Sequence, residues 1–365
     1  MRKTLLYLVI LALLGFGIYY FIFDNNDSPY KPAEAGFTIK DTASVGKLFL
    51  VSNNGESILA ERTDSGWIVN KRYKALPSTV NLTLMTLATQ AALYPVTKSA
   101  YDNVIKSLAT DAIKVEVYGR DGKKMKVIYV GGNSVNNLGT NMLLEGAHTP
   151  YVVQVPGFNG YLTARYTTRM TDWRDRTIFN IPAAEIKSVS VQYPGDKAIN
   201  SFEISRDNGN VVIKGDPAIT KTLDSANMRR ANLYLGYFSN VNCEGYLNGL
   251  PDLDTSIKTA PLQSSIEVTG LHGQRQHVEI YWMALNKRSK NVDVSDPDVP
   301  DDYDADRLYA VINNNRDTVM IQQFVFHKIF RKCYEFFQKD APPPPKSNPK
   351  ELPGNVLLKK GEVKK

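Results

Sequence analysis

Short runs of alternating apolar and polar residues fill most of the chain beyond residue 40, which is the pattern of strands with one buried face. A helix is predicted from Pro77, because proline is favoured in a first helical turn and an apolar stripe follows it to Ala91. The predicted order is three strands, this helix and four strands, the strands being at residues 47–51, 57–62, 66–69, 111–118, 125–130, 141–144 and 151–155.

The second half repeats this layout. A helix is predicted at 224–238, and the turn from Gly270 to Gly273 matches the turn from Gly119 to Gly122, 151 positions earlier. The strands are predicted at 186–193, 201–206, 211–214, 265–269, 277–283 and 308–312. The last of these would correspond to the first-half strand at 151–155. We therefore predict an α+β fold made by internal duplication, each half an antiparallel sheet covered by a helix.

Near the N-terminus, residues 4–23 form an uncharged apolar run that would span about 30 Å as a helix. Its aromatic end favours an uncleaved transmembrane anchor over a cleaved signal peptide, which stays the alternative. Arg2 and Lys3 precede the run and Asp24 follows it, so the positive-inside rule predicts a cytosolic N-terminus and an exported remainder. In a bacterium that chain would be a single-pass inner-membrane protein with its bulk in the periplasm.

Two further segments lie outside the duplicated pattern. Alternating charge around an indole predicts a packed joint between the two units, formed by Trp173, Arg174, Asp175 and Arg176. A helix with one docked apolar face is predicted at 325–337, ahead of a tail with four consecutive prolines and many lysines. The predicted divisions are a cytosolic N-terminus at 1–3, the anchor at 4–23, a stalk at 24–36, units at 37–162 and 183–338 around a joint at 163–182, and the tail at 339–365.

Composition and charge narrow the classes of function. The chain is 43% apolar and 22% charged, which is ordinary for a globular protein. Its net charge of +7 comes mostly from both ends, and residues 4–340 are nearly neutral. A basic nucleic-acid-binding domain is therefore not indicated.

Two groups of residues are candidates for metal binding or covalent linkage. An acidic run offers a weak calcium site at Asp296, Asp298, Asp301 and Asp302, although a solvated loop explains the same pattern because the spacing lacks an EF-hand's glycine and glutamate. Cys243 and Cys333 both lie in the predicted exported part, where either a disulfide or two buried thiols fit the sequence.

The sequence contains no nucleophile elbow, Walker loop, zinc-protease motif or dinucleotide fingerprint. The glycine-rich stretch at 131–139 follows a strand, but it lacks a terminal Lys-Ser or Lys-Thr pair and a following helix, so a turn is the better interpretation. We therefore predict a protein that is not an enzyme and needs no cofactor.

Several motifs carry a family resemblance over about residues 36–215, among them Gly66-Trp-Ile-Val-Asn70, Tyr129-Val-Gly-Gly132, Pro156-Gly-Phe-Asn-Gly-Tyr-Leu162 and Trp173-Arg-Asp-Arg-Thr-Ile-Phe179. With the N-terminal anchor, this chain resembles the bacterial domain-of-unknown-function family numbered 4340. The resemblance implies an envelope protein, in some members associated with auxiliary subunits of gliding-type ABC transporters, and it implies no catalytic residues.

The expected function is a non-catalytic accessory or scaffold subunit of an envelope assembly. Its partners would be other envelope or inner-membrane proteins and not nucleic acid. A periplasmic hydrolase and a module that binds peptidoglycan or polysaccharide are the alternatives, the latter because 20 Tyr and three Trp offer stacking surfaces.

Overall fold

The computed structural model describes residues 11–14, 30–207, 210–221, 226–289, 299–314 and 316–338. Residues 11–14 are helical, and the rest of the predicted anchor lies outside the described residues. No helix within those described ranges has the length and apolar character needed to cross a membrane. The described chain is a mixed α+β protein with antiparallel sheets, which confirms the predicted fold class at this level.

The first unit contains nine strands within the described residues, all in one antiparallel sheet of order β4-β3-β2-β1-β6-β7-β8-β9-β5. Two helices accompany it, α1 (Pro77–Thr89) and α2 (Lys98–Asp111). The strands are β1 (Val45–Val51), β2 (Ser57–Thr63), β3 (Gly66–Val69), β4 (Tyr73–Lys74), β5 (Ala91–Pro95), β6 (Ile113–Gly119), β7 (Lys124–Asn133), β8 (Thr140–Leu144) and β9 (Tyr151–Gln154).

A joint follows, with α3 (Met170–Trp173) and β10 (Thr177–Phe179). The described strands of the second unit, apart from β14, form an eight-stranded antiparallel sheet of order β13-β12-β11-β16-β17-β18-β19-β15. These strands are β11 (Ile186–Gln192), β12 (Phe202–Asp207), β13 (Asn210–Gly215), β14 (Val241–Asn242), β15 (Gly245–Tyr246), β16 (Leu262–Gly270), β17 (Arg275–Ala284), β18 (Tyr303–Ile312) and β19 (Asp317–Gln322), and the helices are α4 (Pro217–Thr220), α5 (Met228–Gly236), α6 (Leu253–Thr259) and α7 (Gln323–Phe326).

Apart from β4, which has no counterpart among the described strands of the second sheet, both sheets have the same order when β1 is matched to β11, β6 to β16 and β5 to β15. Equivalent details recur, because the pairing of β1 with β6 and of β11 with β16 shifts register at the same point. The two glycine turns also form the same backbone hydrogen bonds, Gly119 N–H to Lys123 O and Gly270 N–H to Gln274 O. The match corrects the predicted alignment, since β18 corresponds to β8 and the unpredicted strand β19 corresponds to β9.

Each sheet buries one face in a core of its own. β1 supplies Val45, Leu48 and Leu50 to the first core, against which α1 packs Leu84 and Leu87. The second core is more aromatic, and Tyr234 of α5 lies within 5.5 Å, centroid to centroid, of Phe202, Phe238 and Phe336.

The predicted helix at 325–337 is wrong. The chain forms only α7 and a 3-10 helix at Cys333–Phe337, with an irregular stretch between them. Side chains that are distant in sequence donate hydrogen bonds to carbonyl groups of this stretch. The Tyr234 hydroxyl donates to Ile329 O, and the Tyr193 hydroxyl donates to Arg331 O. A continuous helix would need main-chain partners for those carbonyl groups.

Candidate functional site

Arg174 lies where the two units meet, and its side chain is 8% exposed. Its Nη1 and Nη2 donate to the two carboxylate oxygens of Asp317 at 2.8 Å each. The guanidinium also stacks between Tyr73 of β4 and Tyr246 of β15, 3.9 and 3.8 Å from the ring centroids. The Arg174 side chain therefore contacts both sheets. It forms a bidentate ion pair with the second unit and stacks on one aromatic ring from each unit.

The backbone around Arg174 holds this geometry in place. Asp175 N–H donates to Lys74 O of the first unit at 2.8 Å, and the Tyr246 hydroxyl of the second unit donates to Asp175 O at 2.7 Å. Cys243 N–H donates to Arg176 O, after which β10 pairs with β14. The segment between the units thus covers the β4 edge of the first sheet and contacts the β14–β15 region of the second unit.

Trp173 anchors the same segment in the core of the first unit. Its side chain is fully buried, and its indole N–H donates to Thr167 O at 2.8 Å. Leu76 N–H donates to Trp173 O at the start of α1. The four residues predicted to form the joint therefore lie together, with Trp173 directed into one unit and Arg174 shared by both.

The ion pair makes the joint sensitive to acid. The hydrogen bonds from Arg174 lower the pKa of Asp317 below its ordinary value, against the opposing effect of burial. A carboxyl group whose pKa is lower in the folded chain stabilises the fold above its unfolded pKa, and this stabilisation is lost as pH falls through the folded value.

We expect the urea midpoint of the wild-type protein to fall more than that of an Asp317→Asn variant as pH is lowered from about 5 to about 2.5. Chemical denaturation of both proteins at a series of pH values measures this difference. The comparison cancels the contribution of the other carboxyl groups, because both proteins contain them. Parallel curves for the two proteins would show that Asp317 does not couple stability to pH.

The calcium candidates are only partly described. Asp296 and Asp298 lie outside the described residues, whereas Asp301 and Asp302 are exposed. No cluster of three or more His, Cys, Asp or Glu side chains suited to a metal occurs within the described ranges. The neighbouring Asp304 is buried and accepts hydrogen bonds from Asn286 and Arg288, so its role there is to fix the loop.

Cys243 and Cys333 are both free and buried in the structure, which is the second of the two alternatives that the sequence allowed. Burial raises the pKa of the Cys243 thiol to about 11, against a smaller opposing effect of Arg176. Burial also raises the pKa of Cys333. Because the thiolate is the reactive form, both side chains are poorly reactive in the folded protein.

We expect iodoacetamide to label neither cysteine of the native protein at pH 8 and to label both after unfolding in urea without reductant. Intact-mass spectrometry counts the added groups. Labelling of the unfolded chain only after reduction would demonstrate a Cys243–Cys333 disulfide instead.

A groove of about 840 Å³ opens at one end of the second sheet, a volume typical of ligand sites. Its walls come from the β11–β12 connection, the first residues of β16, the end of β17, the start of β18 and the chain after β19. Five aromatic and three proline side chains line it, namely Tyr193, Trp282, Tyr303, Phe330, Tyr334, Pro194, Pro261 and Pro300.

Polar groups lie among these rings. Asn200, Gln263 and Gln323 contribute amides, and the Gln323 Oε1 atom is buried without a hydrogen-bond partner. Acidic and basic side chains share the rim, where Arg331 donates to Glu335 at 3.2 Å and Asp196 is exposed. The groove therefore suits a ligand with extended apolar faces.

The equivalent end of the first unit is covered by its own chain. Thr163 donates to Gly131 O at the end of β7, and Leu162 N–H donates to the Thr140 hydroxyl of β8. The connections differ as well, because the second unit uses residues 193–201 and 285–302 where the first uses only 52–56 and 134–139. The longer β11–β12 connection and Pro300, near the end of the β17–β18 connection, thus form part of the groove wall. Binding residues in proteins are concentrated in such connections.

Sequence reasoning did not find this groove, since its walls come from stretches scattered between Tyr193 and Glu335. The extra length of the connection between β11 and β12, with Pro194 in it, was the available signal. Comparison of the two halves for insertions would have directed attention to it.

The chain was compared with known proteins in three ways. No family model matches it, and neither the curated proteins nor the solved structures contain a match. The family resemblance drawn from the motifs therefore stays a prediction.

Proposed function

We propose that this protein is a non-catalytic accessory or scaffold subunit of a bacterial envelope assembly, and that it holds a partner protein in the groove of its second unit. The observation that carries the proposal is the aromatic- and proline-lined groove, part of whose wall is a β11–β12 connection longer than its counterpart in the first unit. Rings with a polar tip are the side chains that proteins favour at binding surfaces.

The two units are proposed to be an internal duplication in which the first copy became a support and the second a binding unit. The shared strand order, the matching register shift and the identical turn hydrogen bonds support this origin. The Arg174–Asp317 ion pair would keep the groove in a fixed position relative to the first unit.

Localisation is part of the proposal. Residues 4–23 would anchor the chain once in the inner membrane, with both units in the periplasm, as the apolar run and its flanks predict. Tethering raises the effective concentration of a partner in the same membrane, so weak contacts in the groove suffice for assembly. Retention of the full chain in membranes after a carbonate wash tests the anchor.

The test of function compares matched variants in living cells. We expect a formaldehyde-crosslinked partner to co-purify with wild type and with a Tyr101→Ser control, but not with a Tyr334→Ser variant. Tyr101 and Tyr334 are each 37% exposed, and only Tyr334 lies in the groove. Equal recovery of the partner by all three proteins would contradict the proposed use of the groove.

A module that binds peptidoglycan or polysaccharide is the second candidate, because the same rings could stack on sugar faces. Purified sacculi distinguish the two functions. Binding of wild type to sacculi with loss in the Tyr334→Ser variant would favour the glycan ligand over a protein partner.

A further inference from the structure

The last described range of the chain ends three residues after the last residue of the groove lining. Glu335 lines the groove, and Gln338 follows three residues later. Gln338 is held against the start of α5, because its main-chain oxygen accepts from Asn227 Nδ2 and its side-chain oxygen accepts from Arg230, at 3.4 Å each. Whatever follows Gln338 in sequence therefore starts within a few residues of the groove rim.

Four consecutive prolines, Pro342–Pro345, follow in the sequence. At about 3.5 Å per residue, Pro342 can reach any point within about 14 Å of Gln338. A run of prolines favours the polyproline II helix, which exposes flat ring faces and loses little conformational entropy when it binds. The sequence thus supplies a stiff apolar segment within reach of the groove.

The lining of the groove fits such a segment. Aromatic side chains line the recognition grooves of domains that bind polyproline helices. Here Tyr303 packs against Trp282 with ring centroids 6.1 Å apart, and Phe330 and Tyr334 lie in the same lining.

We propose that Pro342–Pro345 binds in the groove of its own chain and must leave before a partner can enter. The short connection to Gln338 gives the segment an effective concentration of the order of mM, so a weak intramolecular contact is enough. Its regulatory meaning, the occlusion of a partner's site, rests on the proposed function. The contact itself does not rest on that function.

Photocrosslinking of the full-length chain in detergent tests the contact. A benzophenone amino acid replaces Tyr334, and a control protein carries it in place of Tyr101 in the first unit. Trypsin releases residues 340–346 as one peptide that contains all four prolines. We expect the Tyr334 probe, and not the Tyr101 probe, to form an intramolecular crosslink to this peptide.

Changing Pro342, Pro343, Pro344 and Pro345 to serine should lower the crosslink yield about tenfold, because the unfolded serine segment loses more entropy on binding. Changing Pro349 and Pro353 to serine is the matched control in the same tail and should leave the yield unchanged. Mixing isotope-labelled and unlabelled chains distinguishes crosslinks within one chain from those between copies.

Absence of the crosslink, an equal yield from the serine variant, or crosslinks only between copies would overturn the proposal. None of these results depends on recovering a partner. The capture experiment with Tyr334→Ser can therefore fail or succeed separately.

Discussion

Replacing Arg174 with alanine should lower the free energy of unfolding by about 3–5 kcal/mol, because it leaves the Asp317 carboxylate buried without its guanidinium. Asp317 would retain a hydrogen bond from Asn313 Nδ2 at 2.9 Å. The variant also loses the stacking of Arg174 on Tyr73 and Tyr246, so Arg174→Lys should recover only part of the loss. Urea unfolding followed by circular dichroism measures the change.

The nearby Arg169–Asp172 ion pair provides the control. Its nitrogen-to-oxygen distance of 2.9 Å resembles that of the Arg174 pair, but the Arg169 side chain is 71% exposed. Arg169→Ala should therefore change stability by less than about 1 kcal/mol. A loss for Arg174→Ala no larger than this would contradict a stabilising role for the joint.

A double-mutant cycle separates the ion pair from the stacking. If Arg174 and Asp317 act as a pair, the double alanine variant should be more stable than the sum of the two single losses predicts. An additive result would assign the effect of Arg174 to its aromatic neighbours.

Replacing Tyr234 with alanine should cost about 3–5 kcal/mol, the usual range for removing a large aromatic side chain from a core. Tyr234 is 1% exposed and lies among Phe202, Phe238 and Phe336. Tyr234→Phe keeps the ring and removes only the hydrogen bond to Ile329 O, so it should cost about 1–2 kcal/mol. Thermal and urea unfolding give both values.

Leu233 is the control on the same helix, because its side chain is 56% exposed. Leu233→Ala should stay within about 0.5 kcal/mol of wild type. Since Ile329 precedes the groove residues Phe330 and Arg331, Tyr234→Phe should also increase hydrogen exchange at residues 329–332. Unchanged exchange there would show that this hydrogen bond does not hold the groove wall.

The local pattern of the sequence determined most of the strands. Alternation in β1, β2 and β3 and glycine turns such as that at Gly119 act between neighbours in sequence, so they can be recognised without the fold. The repeated order of elements followed from the same signals and predicted two related units. Helix α2 was missed because Leu108 is the one buried residue it contributes, which leaves little apolar pattern to detect.

The tertiary structure alone decided the features that depend on distant residues. Arg174 and Asp317 are 143 positions apart, and nothing in either local sequence identifies the other as its partner. The apolar spacing at 325–337 is helical, but the hydroxyls of Tyr193 and Tyr234 bind carbonyl groups there and the chain runs irregularly between two short helices. The groove depends on that irregular path, because Phe330 and Arg331 of its wall lie within it. Pairing between remote side chains is a property of the folded chain, and only the fold could supply it.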